Sequence, residues 1–418
     1  MLEKLHLKNV GPAPELEIEF APRVNIITGD NGLGKSFILD VAWWVLTQNW
    51  IAEVNPQVQN SKQKDSVTAS ISSNVLTWGM PFSQKTYADK YEFHPELQEW
   101  DLPRLISDHA LVLSYRTDGT FAVRDPARYH GQSMYPVLIF SSKSVWDGSE
   151  QNGKIISNGL IRDVSKWQLE NGAALKQFQA ALIALSSNSN ESLELGKTTR
   201  VSISDARDIP TLEMPYNQAV PIIHASSAIR RIVAFAYMIV WTWQEHLRIG
   251  ELTGDSQARE IILLIDELEQ HLHPQWQRVI LESILNVVEA VSKEKVKVQI
   301  IATTHSPLVM ASLEPLFDEK QDAWFDLNLV KGEVKLEKMK WRKRGGAEAW
   351  LTSEAFDLDS TGSLEAAQVM ERAAKAFTNP KLSKKKFLEL DSELRGVLSD
   401  MDEFWIRWRF IGEKKGYL

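Results

Sequence analysis

The sequence predicts an α/β fold built on a mostly parallel sheet, and three stretches carry that prediction. Val24 to Thr28 are β-branched or apolar and read as a buried strand that runs into a glycine-rich turn and then a helix. Ile261 to Ile265 form an uninterrupted apolar run, the pattern of a central parallel strand covered on both faces. Val298 to Ala302 read as a third buried strand, ending in Thr303-Thr304-His305-Ser306-Pro307.

The chain has 418 residues, enough for one large domain or two ordinary ones. With 44% hydrophobic and 24% charged residues it has the composition of a globular protein rather than a disordered one. It contains no cysteine, which removes disulfides, thiolate zinc sites and cysteine nucleophiles and suits a reducing cytosol. The N-terminus lacks the form of a signal peptide. The longest strongly apolar run, Ile232 to Trp243, is shorter than the roughly 18 residues that a spanning helix needs. A cytoplasmic location without a membrane segment is the expectation. The net charge of −8 argues against a surface that is basic all over, although a local groove for nucleic acid remains compatible with it. One basic cluster exists, Lys338, Lys340, Arg342, Lys343 and Arg344, and a solvated turn after a strand accounts for a run this short.

The first strand leads into Gly29-Asp30-Asn31-Gly32-Leu33-Gly34-Lys35-Ser36, which fits G-x-x-x-x-G-K-[ST]. From Phe37 the chain reads as a helix, with Ile38, Val41 and Val45 spaced to face a core. Strand, loop and helix in this order are the context that makes the motif a phosphate loop. Glycines let backbone N–H groups turn inward around phosphate oxygens, and the helix N-terminus adds partial positive charge. Lys35 is expected to reach the β- and γ-phosphates of ATP, and the Ser36 hydroxyl to ligate Mg²⁺.

Asp266 and Glu267 follow the second strand, at the edge where ligands bind in open α/β sheets. Asp266 is expected to bind Mg²⁺ directly or through an intervening group. Glu267 is positioned to orient or deprotonate the attacking water. Acidic residues also favour helix first turns, so the phosphate loop is what gives this pair its weight. His271-Leu272-His273 could form a metal pair, but zinc needs further ligands that the sequence does not nominate nearby, and a non-metal role is expected. Trp276 and the helix after it are expected to pack beneath the nucleotide edge. His305 ends the third strand at the same sheet edge, where a neutral imidazole can hydrogen-bond a γ-phosphate or the catalytic water. Ser306 with Pro307 reads as a helix cap. A serine-led apolar helix begins at Ser226-Ser227, with Ile229, Ile232, Val233, Ala236, Val240 and Trp243 on one face and Arg230 and Arg231 off it.

The phosphate loop, the serine helix, "LLIDELEQHLHP" and "TTHSP" occur in that order. The ensemble resembles the ABC-type ATPases of the SMC, RecF and OLD group, sometimes catalogued as AAA-like. The resemblance implies a P-loop ATPase head, with a mostly parallel sheet flanked by helices and a β-rich lobe. It also implies that two heads sandwich ATP. Ser226, with Ser227 beside it, would then contact the γ-phosphate of the opposite head, Gln270 to His273 would form the inter-head loop, and His305 would be the switch histidine. Ser227 and Ala228 stand where the family usually has glycines. No glutamine is placed as the family's Q-loop residue, and Pro136 to Gly148 is where that loop is expected. Stretches such as "NGLIRDVSKWQ", "RDIPTLEMPY" and "AWLTSEAFDLDSTGSLEA" are similar to ATPases of bacterial antiphage defence systems of the Septu type, which also accompany some retrons. That similarity implies a separately encoded HNH nuclease partner.

The ATPase domain is expected over residues 1–344, with an insertion at 50–222 that holds the β-rich lobe (63–135) and one helix pair, Leu160 to Ser187. Sustained heptads for a coiled-coil arm are missing there. Residues 345–418 read as a helical segment in which Trp405, Trp408 and Phe410 are candidates for docking a partner. Asp357 and Asp359 form a D-x-D, but a turn before a helix near Ser363 explains it, so no nuclease activity is expected from the chain itself. A RecF-like DNA-repair ATPase that binds duplex near Arg342 is the alternative to a defence subunit.

Overall fold

The computed structural model describes residues 1–51, 66–75, 83–94, 99–101, 110–128, 137–186, 192–254, 258–292, 296–356, 358, 362–377 and 382–417. The chain divides into two compact units, Met1–Ala347 and Glu348–Leu418.

The first unit is organised by an eight-stranded sheet in the order Glu333–Met339, Asp322–Val330, Val24–Gly29, Lys297–Thr303, Glu260–Ile265, Ala110–Tyr115, Phe121–Arg124, Val137–Phe140. The middle five strands are parallel and the outer pairs antiparallel. Four of the five will be called the loop strand (Val24–Gly29), the histidine strand (Lys297–Thr303), the acid strand (Glu260–Ile265) and the tyrosine strand (Ala110–Tyr115). Every residue of the acid strand is buried, as its apolar run requires. Register sets Ile265 beside both Ala302 and Tyr115, and Thr303 beside Ile27. The C-terminal ends of all four strands therefore meet at one edge.

The phosphate helix, Lys35–Thr47, leaves the loop at that edge. It buries Ile38, Val41 and Val45, and also Ala42, Trp43, Trp44 and Leu46. It is apolar nearly all round because it lies between two sheets. The second is a five-stranded antiparallel lobe in the order Glu15–Glu19, Leu2–Lys8, Ser66–Val75, Ser83–His94, Glu99–Trp100. Trp44 meets Tyr91 and Trp100 edge-on at 5.4 and 5.8 Å between ring centroids and stacks on Trp50 at 5.1 Å. Part of residues 63–135 thus builds the lobe together with the N-terminal hairpin. The tyrosine strand and Phe121–Arg124, from the same stretch, belong to the main sheet instead.

The insertion's helix pair is present as Leu160–Glu170 and Ala173–Ala184. It packs on the serine helix, Ser227–Thr253, and Trp167 touches Tyr237 of that helix at 5.7 Å. The serine helix departs from a one-faced amphipathic helix. From Ile232 to Trp243 every residue is buried, since sheet and helix pair cover it from both sides. Trp276 also differs from expectation. Its indole donates to the Leu185 carbonyl at 3.0 Å, so it closes the end of the helix pair rather than lying beneath the nucleotide edge. Among the described residues no helix is long and apolar enough to cross a membrane.

In the basic cluster, Lys338 lies on the edge strand and Lys340, Arg342 and Lys343 are exposed after it. Trp341 stacks on Phe317 with 3.8 Å between centroids, and the backbone N–H groups of Arg344 and Gly345 donate to Glu314 at 2.6 and 2.9 Å.

The second unit contains the helices Leu364–Phe377, Lys384–Val397 and Phe404–Lys414 around a core of Val369, Ala373, Leu382, Phe387, Leu390, Leu394, Trp405 and Trp408. Phe387 stacks on Trp408 at 4.4 Å, and the Trp408 indole donates to Asp391 at 3.0 Å. Trp405 and Trp408 are therefore core residues and not docking residues, whereas Phe410 is 63% exposed. The helix expected near Ser363 begins at Leu364, with the Ser363 hydroxyl accepting from the Ala366 N–H at 3.1 Å. Asp357 and Asp359 lie outside the described residues.

Candidate active site

The phosphate loop is shaped by two glycines that nothing else can replace. Gly29 has φ +128°, and a Cβ there would lie 2.4 Å from the Leu327 carbonyl oxygen. Gly34 caps the phosphate helix with φ +101°, and a Cβ would lie 2.5 Å from Pro12 Cγ. Between them Leu33 is buried in the core, which ties the loop down, while Asp30, Asn31 and Gly32 are exposed. Ser36 is exposed as well.

Lys35 is buried, and its ammonium donates to the carbonyls of Gly29 at 2.7 Å and Asp30 at 2.8 Å. Burial holds it below the ordinary lysine range, against the charges of Glu267 and Asp266. The lysine thus occupies the carbonyl side of the loop and leaves the N–H side for an anion.

Asp266 is where the strands are joined. Its Oδ1 accepts from the Ser36 hydroxyl at 3.0 Å and from the Thr303 hydroxyl at 2.8 Å, and its N–H donates to the Tyr115 carbonyl at 2.9 Å. Thr303 accepts in turn from the Glu267 N–H at 2.8 Å. A hydroxyl and a carboxylate side by side are hard oxygen donors suited to Mg²⁺, which is held by few protein ligands plus phosphate and water. Glu267 itself sits at φ +49°, a left-handed turn that takes its side chain out of the strand direction.

His305 is held by a residue that sequence reasoning missed. Glu269 accepts from the Thr304 hydroxyl at 2.6 Å and from the His305 N–H at 2.5 Å. Burial pushes the Glu269 carboxyl above the ordinary range, against those hydrogen bonds. The His305 imidazole is held below the ordinary histidine range by burial first and by the charge of Lys35 next, so it is neutral at neutral pH. Ser306 caps the helix Pro307–Leu313, accepting from Leu308 and Val309 N–H groups. The second glutamate of "DELE" was the available signal for Glu269, but only the fold reveals what it binds.

The tyrosine strand, on the other side of the acid strand, ends at Tyr115 and is followed by Arg116 and Thr117. Arg116 pairs with Asp40 on the phosphate helix, and burial pushes the Asp40 carboxyl above its ordinary range. No glutamine stands there. The stretch expected to hold the Q-loop forms the outermost strand, Val137–Phe140, two strands beyond Tyr115, and the short helix Ser142–Asp147.

The remaining residues are elsewhere. Ser226 caps the serine helix, its hydroxyl accepting from the Ile229 N–H at 3.3 Å, and both Ser226 and Ser227 are exposed. Ser227 and Arg230 line a cleft of about 710 Å³ with Thr117, Lys143, Trp146 and His271, which contains none of Gly29 to Ser36. His273 caps the short helix Pro274–Gln277. Arg231 turns inward: it donates to Gln270 and Thr117 of its own chain.

Parts of the chain are similar to known proteins. A family model described as AAA domain matches residues 4–97, and one described as AAA ATPase domain matches residues 149–310. Between them they include the loop strand, phosphate helix, serine helix, acid strand and histidine strand. The chain is similar to the Retron Ec83 probable ATPase of Escherichia coli, 32% identical over 97 residues, which is 23% of this chain and 15% of that protein. It is similar to the Septu protein PtuA of Bacillus thuringiensis, 21% identical over 316 residues, covering 73% of this chain and 72% of that protein. Among solved structures, the SMC head domain from Thermotoga maritima aligns with 81% of this chain and 99% of its own, at 15% identity and a TM-score of 0.39. The chain has a mixed α/β fold with a central sheet flanked by helices, two stretches of it match AAA family models, and Gly29–Ser36, Asp266, Glu267 and His305 lie at one edge of the main sheet.

Proposed function

We propose that this protein is the ATP-binding and hydrolysing subunit of a bacterial antiphage defence complex. Two copies sandwich ATP, and the assembly regulates or scaffolds a separately encoded HNH effector nuclease. The observation that carries the ATP reading is the convergence of Lys35, Ser36, Asp266, Glu267 and His305 at one sheet edge. The observation that supports a sandwich is the exposure of Ser226 and Ser227 at the N-terminus of a helix. The defence assignment is supported by the similarity to PtuA along most of both chains.

In this reading the loop N–H groups and Lys35 bind the β- and γ-phosphates of ATP. Ser36 and Asp266 hold Mg²⁺, which when bound neutralises phosphate charge. Glu267 orients the attacking water and takes its proton. Neutral His305 hydrogen-bonds the γ-phosphate or that water, and Glu269 keeps its backbone in place. Ser226 and Ser227 of the second copy present hydroxyls and a helix N-terminus to the γ-phosphate.

Two variants test this. Lys35→Ala is expected to abolish nucleotide binding. Glu267→Gln is expected to keep binding, lose turnover and accumulate an ATP-bound dimer, read by native mass measurement. Retained turnover in Glu267→Gln removes the base assignment. A second reading, a RecF-like ATPase that binds duplex DNA, is favoured by the exposed Lys340, Arg342 and Lys343. Tight duplex binding that falls steeply with salt and is lost on reversing those charges would support it.

A further inference from the structure

The side chain of Arg231 joins the serine helix to the acidic turn within one chain. Arg231 lies one helical turn after Ser227, on the same side of the helix. Its Nη1 donates to the Gln270 carbonyl at 3.2 Å and to the Gln270 side-chain oxygen at 2.6 Å. Its Nη2 donates to the Thr117 carbonyl, and the guanidinium lies 5.7 Å from the centroid of the Tyr115 ring.

Each of these partners leads to the nucleotide site. Gln270 closes the turn that begins at Glu267, its N–H donating to the Glu267 carbonyl at 3.0 Å. Arg231, Gln270 and Glu267 also line one small cavity of about 30 Å³. Tyr115 accepts from the Asp266 N–H, and Thr117 follows Arg116, which is paired to the phosphate helix. A rigid planar fork that donates in several directions holds these acceptors at fixed mutual positions, whereas an ammonium on a flexible stem holds only one or two. Arg230, next in sequence, is exposed and stands outside this set of contacts.

We propose that Arg231 is a positioning residue that links the exposed Ser226 end of the serine helix to Glu267 of the same chain. The proposal rests on the ATP-sandwich reading. ATP on one head's loop engages Ser226 of the second head, and that helix end moves Gln270 and the Glu267 turn through Arg231. Each base is then set by the nucleotide bound to the other head. Such coupling is reciprocal between the two sites.

The test uses the full chain with ATP. Wild type is expected to hydrolyse ATP with a sigmoidal dependence on ATP concentration. Arg231→Lys and Arg231→Ala are expected to give a hyperbolic dependence and a kcat lower by about 10- to 100-fold, as for a misplaced catalytic group, with the affinity of a fluorescent ATP analogue for the loop unchanged. Gln270→Ala, which removes one acceptor and keeps the guanidinium, is expected to lie between them and covers the case in which the Arg231 variants do not fold. A sigmoidal curve and wild-type kcat in folded Arg231→Lys overturn the proposal, as does a hyperbolic wild type. Loss of thermal stability with kcat and curve shape intact also overturns it, since that is the mark of a packing role alone. The dimer formed by Glu267→Gln with ATP separates the two ideas. If no dimer forms, the sandwich itself fails. If it forms while Arg231→Lys behaves as wild type, only the link fails.

Discussion

Glu269 shows how much of the site depends on a residue that touches no substrate in the proposed mechanism. It is a half-buried carboxylate with the Thr304 hydroxyl and the His305 N–H both donating to it. Truncating it leaves those donors without their partner in a desolvated place. Glu269→Ala is expected to destabilise the first unit by about 2–3 kcal/mol, the cost of orphaned donors to a charged acceptor, measured by denaturant unfolding. It should also lower kcat while leaving nucleotide affinity near wild type, because Lys35 and the loop are untouched. At Gly34 the expectation is the reverse. Gly34→Ala forces a Cβ against Pro12 in a left-handed conformation, so nucleotide binding itself is lost, as read by titration with a fluorescent analogue. The first residue positions and the second shapes the cradle, and the two assays separate those roles.

The serine helix carries two functions along one element. Its body is a core helix, buried on every side from Ile232 to Trp243, and its first turn is an exposed end with a serine cap. Ser226→Ala removes the cap and is expected to cost about 1 kcal/mol. Ser226→Asp keeps an acceptor for the Ile229 N–H and places a carboxylate where a γ-phosphate is proposed to arrive. It is therefore expected to retain wild-type thermal stability but to lose ATP-driven dimerisation, measured by light scattering. Dimerisation equal to wild type in Ser226→Asp would remove Ser226 from the interface. The phosphate helix is the complementary case. Its apolar circumference, with Trp43 and Trp44 buried, follows from its place between the main sheet and the antiparallel lobe.

The whole molecule separates into a nucleotide unit and a small helical unit, each with its own core. In the helical unit the apolar residues of the last helix divide by face. Trp408 stacks on Phe387 and donates to Asp391. Ile406 and Phe410 are 73% and 63% exposed. Trp408→Ala is expected to destabilise this unit by about 3–5 kcal/mol, the range for a large aromatic removed from a core. Phe410→Ala is expected to stay within about 0.5 kcal/mol of wild type. If the nuclease partner docks here, Phe410→Asp weakens co-purification without unfolding the unit. Full recovery of the complex with Phe410→Asp places the docking surface elsewhere.

The three central strands, the glycine-rich loop, the acidic pair at a strand end and the serine cap were legible in the residues themselves. Each is a local pattern with a local cause: β-branched runs, left-handed turns that need glycine, and side-chain oxygens that cap helices. The helix pair of the insertion was legible for the same reason. What depends on strand order was not. Nothing in the pattern of Ala110 to Tyr115 says that this strand pairs with the acid strand, so Arg116 and its Asp40 partner could not be placed there. Arg231, Glu269 and Trp276 have the same history. Each is a polar or amphipathic group whose partner lies far along the chain, at Thr117 and Gln270, at Thr304 and His305, and at Leu185. The sequence by itself determined the three buried strands, the glycine-rich loop between strand and helix, and the serine caps, because those choices follow from spacing and side-chain type. Only the tertiary structure decided which strand ends share an edge and which donors meet which acceptors, because a buried hydrogen bond is satisfied by whatever the fold brings within reach.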